Sequence, residues 1–406
     1  LPYIRESFYV PIQTAMGLSN AQMGTLNSWY AIIATPAYFI GGIVADKFKP
    51  RTLLTFSFIS TGLLGLWFSF FPGYIISQII FALMGFTTVM TYWPSLVKAI
   101  RMLGTSDEQG RLYGLNEGLR GILNALLVYS MFADNVDGAA WAVRLVAAVD
   151  IILGLSYWFV LDKGTVAGAG ETIVSITKGM FGCLKIPRVW LLVGIVFTAY
   201  SIYGIFGYIN TYAINMFGMS SADGATLGGV RYLIQGVGGI VGGFLADKIG
   251  SRLKVIAASG GLLAVCFGAY LVIPTEVGML TMVIINFIFG LLLIYAIRSL
   301  YFADIDEAGI PVHITGRVSG IVSTFGYLPD VFMFTMIGGW LDAAGTGRGG
   351  YDMMFIYALV MGLGCMALSL VLRHVIKSGR PVKVPASAAA GVPVVAEEAD
   401  DVRESE

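Results

Sequence analysis

An eleven-residue phrase recurs in this chain, as Gly41-Gly-Ile-Val-Ala-Asp-Lys-Phe-Lys-Pro-Arg51 and as Gly242-Gly-Phe-Leu-Ala-Asp-Lys-Ile-Gly-Ser-Arg252, at an offset of 201 residues. At the same offset Gly17 meets Gly218, Ser19 meets Ser220, Ala21 meets Ala222, and Thr25-Leu26 meets Thr226-Leu227. Identities spread over a whole apolar run point to an internal duplication rather than a local motif. Both copies lie in apolar stretches of about 20 residues, the length that crosses a bilayer. The chain is thereby confined to a repeated bundle of membrane helices.

Composition agrees. With 57% hydrophobic and 12% charged residues among 406, the chain carries more apolar surface than a soluble core buries. The 25 basic and 25 acidic residues balance and no basic run occurs, which excludes nucleic acid as a partner class. Cys183, Cys266 and Cys365 are too far apart for metal ligation or a disulfide framework, and are expected to pack as small apolar side chains. The opening Leu1-Pro-Tyr-Ile-Arg5 lacks the basic-then-apolar order of a signal peptide.

Spanning runs fall near 22–45, 52–71, 74–101, 110–133, 141–162, 189–216, 221–246, 253–273, 277–303, 314–341 and 350–375, and residues 1–16 supply a partial one. In the overlay Leu1 meets Ile202, inside the run that begins at Val189, so about 13 residues of the first span have no counterpart. The expectation is an all-α membrane protein of twelve transmembrane helices in two pseudo-symmetric six-helix bundles, the first helix incomplete at its N-terminus. The bundles are placed at 1–162 and 189–375, joined by a cytoplasmic linker at 163–188, with a disordered cytoplasmic tail at 376–406. Lys47, Lys49, Arg51, Lys163, Lys185, Lys248, Arg252, Arg317 and Lys377 all fall on one face, whereas the opposite loops hold only Arg348. The positive-inside rule makes the basic face cytoplasmic, with both termini inside.

The spacing Gly-x-Leu/Val-Ala-Asp-Lys-x-x-x-Arg between spans two and three of each half resembles the loop signature of the major facilitator superfamily. That resemblance implies a secondary transporter whose two halves rock about a central site, with this loop acting as a gate. It assigns Gly42, Asp46, Lys47 and Arg51, and Gly243, Asp247, Lys248 and Arg252, to the gating loops. Gly42 and Gly243 are expected to allow close helix contact. Asp46 to Arg51 and Trp93-Pro-Ser-Leu-Val-Lys98 resemble the organophosphate:phosphate antiporter branch, and Gly114-Leu-Asn-Glu-Gly118 resembles nitrate/nitrite carriers. The arginines and lysine that bind substrate in those branches fall on Ile202, Tyr3 and Tyr38 here, so fold and transport cycle carry over and substrate does not.

An ionisable side chain at the bilayer centre costs about 2.5–3.5 kcal/mol on insertion scales, so each needs a partner, a wet cavity or a substrate. Arg5, Arg120 and Arg231 all fall near mid-depth. They are read as substrate-binding, with Tyr30, Tyr38, Tyr203 and Gln235 lining the cavity. Glu117 offers Arg120 an internal partner three residues away, the competing structural reading. Glu6, Glu117 and Asp330 are the proton-coupling candidates. Arg298 and Lys98 lie near cytoplasmic ends, where a gate or loop pairing is expected. Asp150 is expected to pair with Arg144 or another buried base.

Guanidinium forks on both halves match a small organic anion: a carboxylate, sulfonate or phosphate ester. The expected protein is therefore a monomeric antiporter or proton symporter in the bacterial inner membrane, with no cofactor and no metal. The alternatives are a carrier of a neutral solute such as a sugar, in which the arginines pair internally, and a non-transporting receptor-like relative. The phosphate-binding Gly-x-x-x-x-Gly-Lys-Ser/Thr loop, His-Glu-x-x-His and a nucleophile set are missing, so an enzyme is not expected.

Overall fold

The computed structural model describes residues 8–92, 136–161 and 173–379, together with 2, 4, 95, 96 and 381–385. The elements of the first half are α1 (Tyr9–Met16), α2 (Asn20–Lys47), α3 (Pro50–Phe68), α4 (Tyr74–Gly85), which runs on as a π-helix over Phe86–Tyr92, and α5 (Val136–Val160). A short helix α6 (Ile173–Cys183) lies within the expected linker. The second half holds α7 (Pro187–Ile205), α8 (Ile209–Phe217), α9 (Ser221–Ile249), α10 (Arg252–Val272), α11 (Leu280–Leu300), α12 (Asp304–Glu307), α13 (Val312–Gly326), α14 (Pro329–Ala344) and α15 (Gly349–Lys377).

The duplication is visible in the helix caps. Gly17 ends α1 in the left-handed region (φ 60°), and Ser19 starts α2 with a capping box, its Oγ accepting from Gln22 N–H at 3.2 Å. Two hundred and one residues on, Gly218 ends α8 with φ 68°, and Ser220 Oγ accepts from Asp223 N–H at 3.0 Å as α9 begins. Repeated turn residues thus make a repeated turn.

Nine helical stretches among the described residues are long and apolar enough to cross a bilayer. The 28 residues of α2 reach about 42 Å at 1.5 Å each and add another. With the partial first helix and the expected span at 110–133, which lies outside the described residues, the order is that of the twelve-helix fold. Among the described residues, three spans are interrupted: the fourth by its π segment, the seventh by a 3-10 turn at Phe206–Tyr208, and the eleventh at Tyr327 and Leu328. The last break precedes Pro329, which lacks an N–H and starts α14 at its first position, where that donor is not needed.

Helix pairs meet through small residues, as expected where lipid gives no hydrophobic drive between helices. Gly260 of α10 and Gly362 of α15 face each other: a Cβ on Gly362 would stand 2.9 Å from the Gly260 carbonyl oxygen. In the duplicated motif the close approach falls at Gly242, where a Cβ would meet Ala296 Cα of α11 at 2.7 Å. Gly243 faces open space, which corrects the expectation of close contact there. Phe159 and Phe244, 82% and 74% exposed, lie on faces that only lipid can cover. Arg144 donates to Ser69 Oγ at 3.2 Å, and no ion pair joins it to Asp150 among the described residues. Six residues apart on α5, the two point to different faces of the helix. The three cysteines are free and buried.

Candidate functional site

Tyr203 sits in α7, just before the 3-10 turn. Arg231 of α9 places its guanidinium carbon 4.1 Å from the Tyr203 ring centroid and donates from Nη2 to the Tyr203 carbonyl oxygen at 2.9 Å. Arg298 of α11 lies 3.7 Å from the same centroid and 5.9 Å from that of Tyr200. Two cations from two helices therefore share one tyrosine. Arg231 is 3% exposed, and Arg298 Nη1 is buried with no hydrogen-bond partner among the described residues. A desolvated cation–π contact returns about 2 kcal/mol, whereas withdrawing a guanidinium from water costs several. The rings thus offset part of that cost.

A chain of tyrosines leads from this centre to the other half. Tyr200 packs on Tyr327 at 4.4 Å between centroids, and Tyr327 packs on Tyr38 of α2 at 5.4 Å, across the two bundles. Tyr295 lies edge-on to Tyr203 at 6.0 Å, and Tyr301 Oη and Tyr327 Oη are 3.3 Å apart. Tyr200 Oη donates to Asp330 Oδ2 at 3.0 Å, and Asp330 is only 5% exposed. Because Pro329 opens α14, Asp330 stands in its first turn, where the helix dipole favours a carboxylate. Beside Arg231 a cavity of about 10 Å³, bounded by Phe206, Asn210, Tyr232 and Phe287, has room for one water.

The structure therefore brings together Arg231, Tyr203, Tyr38 and Asp330. Gln235 is half-buried one turn beyond Arg231. Tyr30, two turns before Tyr38 on α2, sets its hydroxyl 3.1 Å from Thr88 Oγ1 of the π segment and lies within electrostatic reach of Tyr38. Arg5, Glu6, Arg120 and Glu117 lie outside the described residues. Arg298 departs from the expectation of a gate residue. Its guanidinium turns from the cytoplasmic end of α11 toward Tyr203, because the aromatic interior offers ring faces there. The available signal was Tyr295-Ala-Ile-Arg298, which sets a tyrosine and the arginine on one helix face.

At the basic end, Arg51 lies 4.2 Å over the Trp158 ring. Glu307 caps α10 by accepting from Arg252 N–H at 2.7 Å and Ser251 Oγ at 2.6 Å, while Arg252 Nη1 reaches the Ala303 carbonyl oxygen at 2.7 Å and Asp306 at 3.3 Å. Lys248 is exposed. Gly42 and the side chains of Asp46, Lys47 and Asp247 lie outside the described residues. Asp304, beneath this cap, is fully buried and neither carboxyl oxygen has a hydrogen-bond partner among the described residues. Burial, reinforced by Glu307 and opposed by Arg252, pushes its carboxyl up to about 8.

Two pseudo-repeated helical halves, broken spans at mid-depth and a central cluster of cations and tyrosines are the parts of an alternating-access carrier. Residues 7–334 match the family model of the Major Facilitator Superfamily. The chain belongs to that superfamily. Within it, the chain is 31% identical over 383 residues to the Escherichia coli inner membrane protein YqcE, covering 89% of this chain and 88% of that one. It is 24% identical over 367 residues to the probable nitrate/nitrite antiporter NarK1 of Thermus thermophilus, covering 80% and 78%. The fold is similar to the crystal structure of a bacterial homologue of the human lysosomal transporter Spinster, in an inward-facing and occupied conformation. The TM-score there is 0.72 at 15% identity, over 93% of this chain and 94% of that one. The protein is a multi-pass inner-membrane transporter of the superfamily, working by alternating access, and not an enzyme.

Proposed function

We propose that the transported solute is a small organic anion, a carboxylate, sulfonate or phosphate ester, held at Arg231 and Arg298 against the face of Tyr203. The convergence of two buried guanidiniums on one ring carries this reading. An oxyanion accepts from both guanidinium forks at once, which a neutral solute does not match in charge. The likeness to NarK1, named as a probable nitrate/nitrite antiporter, supports an anionic solute. Tyr38 would supply the contact from the first half, and Arg5 and Arg120 further positive charge from it. Asp330, hydrogen-bonded to Tyr200 beside the cation pair, is the acid best placed to take up a proton if transport is symport. Both termini would be cytoplasmic, as the basic loops require.

The test is counterflow in proteoliposomes against a panel of carboxylates, sulfonates, phosphate esters and neutral sugars. Anion-specific exchange is expected, falling at least tenfold in Arg231→Ala and in Arg298→Ala, with Arg298→Lys intermediate because an ammonium keeps the charge and loses the fork. Exchange of a sugar with no response to any anion overturns the proposal in favour of the neutral-solute reading.

A further inference from the structure

At the end of the bundle poor in lysine and arginine, the outer one by the positive-inside rule, a carboxylate of the second half sits on a helix terminus of the first. Asp342, near the C-terminus of α14, accepts from Asn20 N–H at 2.8 Å and Asn20 Nδ2 at 2.9 Å through Oδ1, and from Ala21 N–H at 2.7 Å through Oδ2. A helix leaves its first four N–H groups without partners in the helix. In α2 the capping box satisfies two of them, Gln22 N–H donating to Ser19 Oγ and Ser19 N–H to Gln22 Oε1. Those of Asn20 and Ala21 are satisfied by Asp342, from more than three hundred residues away. The Asn20 carboxamide also accepts from Tyr9 Oη at 2.8 Å, tying α1 into the same joint.

Below it the two helices touch backbone to backbone. A Cβ on Gly338 would overlap the Asn20 carbonyl, and one on Gly24 would overlap that of Phe334. Ser28 Oγ and Thr335 Oγ1 close the seam at 2.9 Å.

We infer that Asp342 is the latch of the outer gate: its carboxylate caps α2 only while the halves are closed at that end, and releases it when they part. The geometry suits a reversible contact. Asp342 is exposed, so water takes over both the carboxylate and the two N–H groups on opening, and the latch biases the equilibrium without fixing it. This inference is independent of which solute is carried.

It is tested with spin labels on Gly73→Cys and Glu276→Cys, exposed positions in outer loops of the two halves, on the full chain in liposomes without substrate. No atom lies within 4 Å of where a Gly73 Cβ would be, and the native cysteines are buried. Asp342→Asn keeps the shape and loses the charge, and should raise the ratio of long to short inter-label distances about tenfold. Gln22→Ala weakens the cap that α2 makes for itself, in which Gln22 Oε1 accepts from Ser19 N–H at 3.0 Å, and should leave that ratio within about twofold. Gly338→Ala wedges the seam without touching the carboxylate and should also favour the long distance. An unchanged distribution in Asp342→Asn overturns the latch, and so does an equal shift in Gln22→Ala, which would reduce the effect to helix fraying. Should Asp342→Asn not fold, a folded Gly338→Ala that keeps the short distance overturns it as well.

Discussion

Arg298 and Asp304 stand six residues apart and meet opposite fates. Arg298 reaches from the end of α11 to Tyr203 and becomes part of the central cluster. Asp304 is enclosed beneath the α10 cap with no partner for either oxygen among the described residues, and is held largely protonated at neutral pH chiefly by its own burial. A carboxyl raised above its unfolded value favours the folded state fully below the unfolded value of about 4. That contribution is lost progressively as pH rises to about 8, where the folded group ionises. Asp304→Asn, which cannot ionise, should therefore be stabilised relative to the wild type by a margin that widens from pH 5 to pH 8. Thermal unfolding of the purified proteins at several pH values measures that margin. A constant difference would show that Asp304 stays ionised throughout.

Among the elements, α10 and α15 show what holds such helices together in lipid. Their contact runs through Gly260 and Gly362, so close that a methyl on Gly362 would stand 2.9 Å from both the Ala264 nitrogen and the Gly260 oxygen. Gly362→Ala, a gain in helix propensity by itself, should still lower stability by about 1–3 kcal/mol because the helices must part. A thermal midpoint equal to or above that of the wild type would rule out this packing. The breaks in spans seven and eleven are the other lesson at this scale. The 3-10 turn after α7 and the Pro329 break before α14 set Tyr203, Tyr327 and Asp330 at interrupted backbone, where side chains from several helices converge.

Among the described residues, the two halves meet in a seam along α2 and α14, closed at the end poor in lysine and arginine and crossed nearer the basic end by Tyr38 and Tyr327. Alternating access requires that seam to open. Thr25 Oγ1 and Thr335 Oγ1 lie 3.3 Å apart across it, so a Thr25→Cys, Thr335→Cys pair should form a disulfide. Oxidation should abolish counterflow and reduction restore it. Full exchange by the oxidised, cross-linked protein would show that the outer seam need not part.

The sequence by itself determined the duplication, the span order and the family, because apolar length, turn residues and a loop motif are local properties that a bilayer reads directly. It also named Arg231, Tyr203, Tyr38 and Asp330, since a buried charge or a mid-span tyrosine stands out against an apolar background. Only the tertiary structure decided that Arg298 turns inward, that the Tyr30 hydroxyl meets Thr88 of the π segment, and that Asp342 caps a helix of the opposite half. Each of those depends on which face of one helix meets which face of another. That is fixed by packing between segments hundreds of residues apart, on which neither copy of a repeated motif carries information.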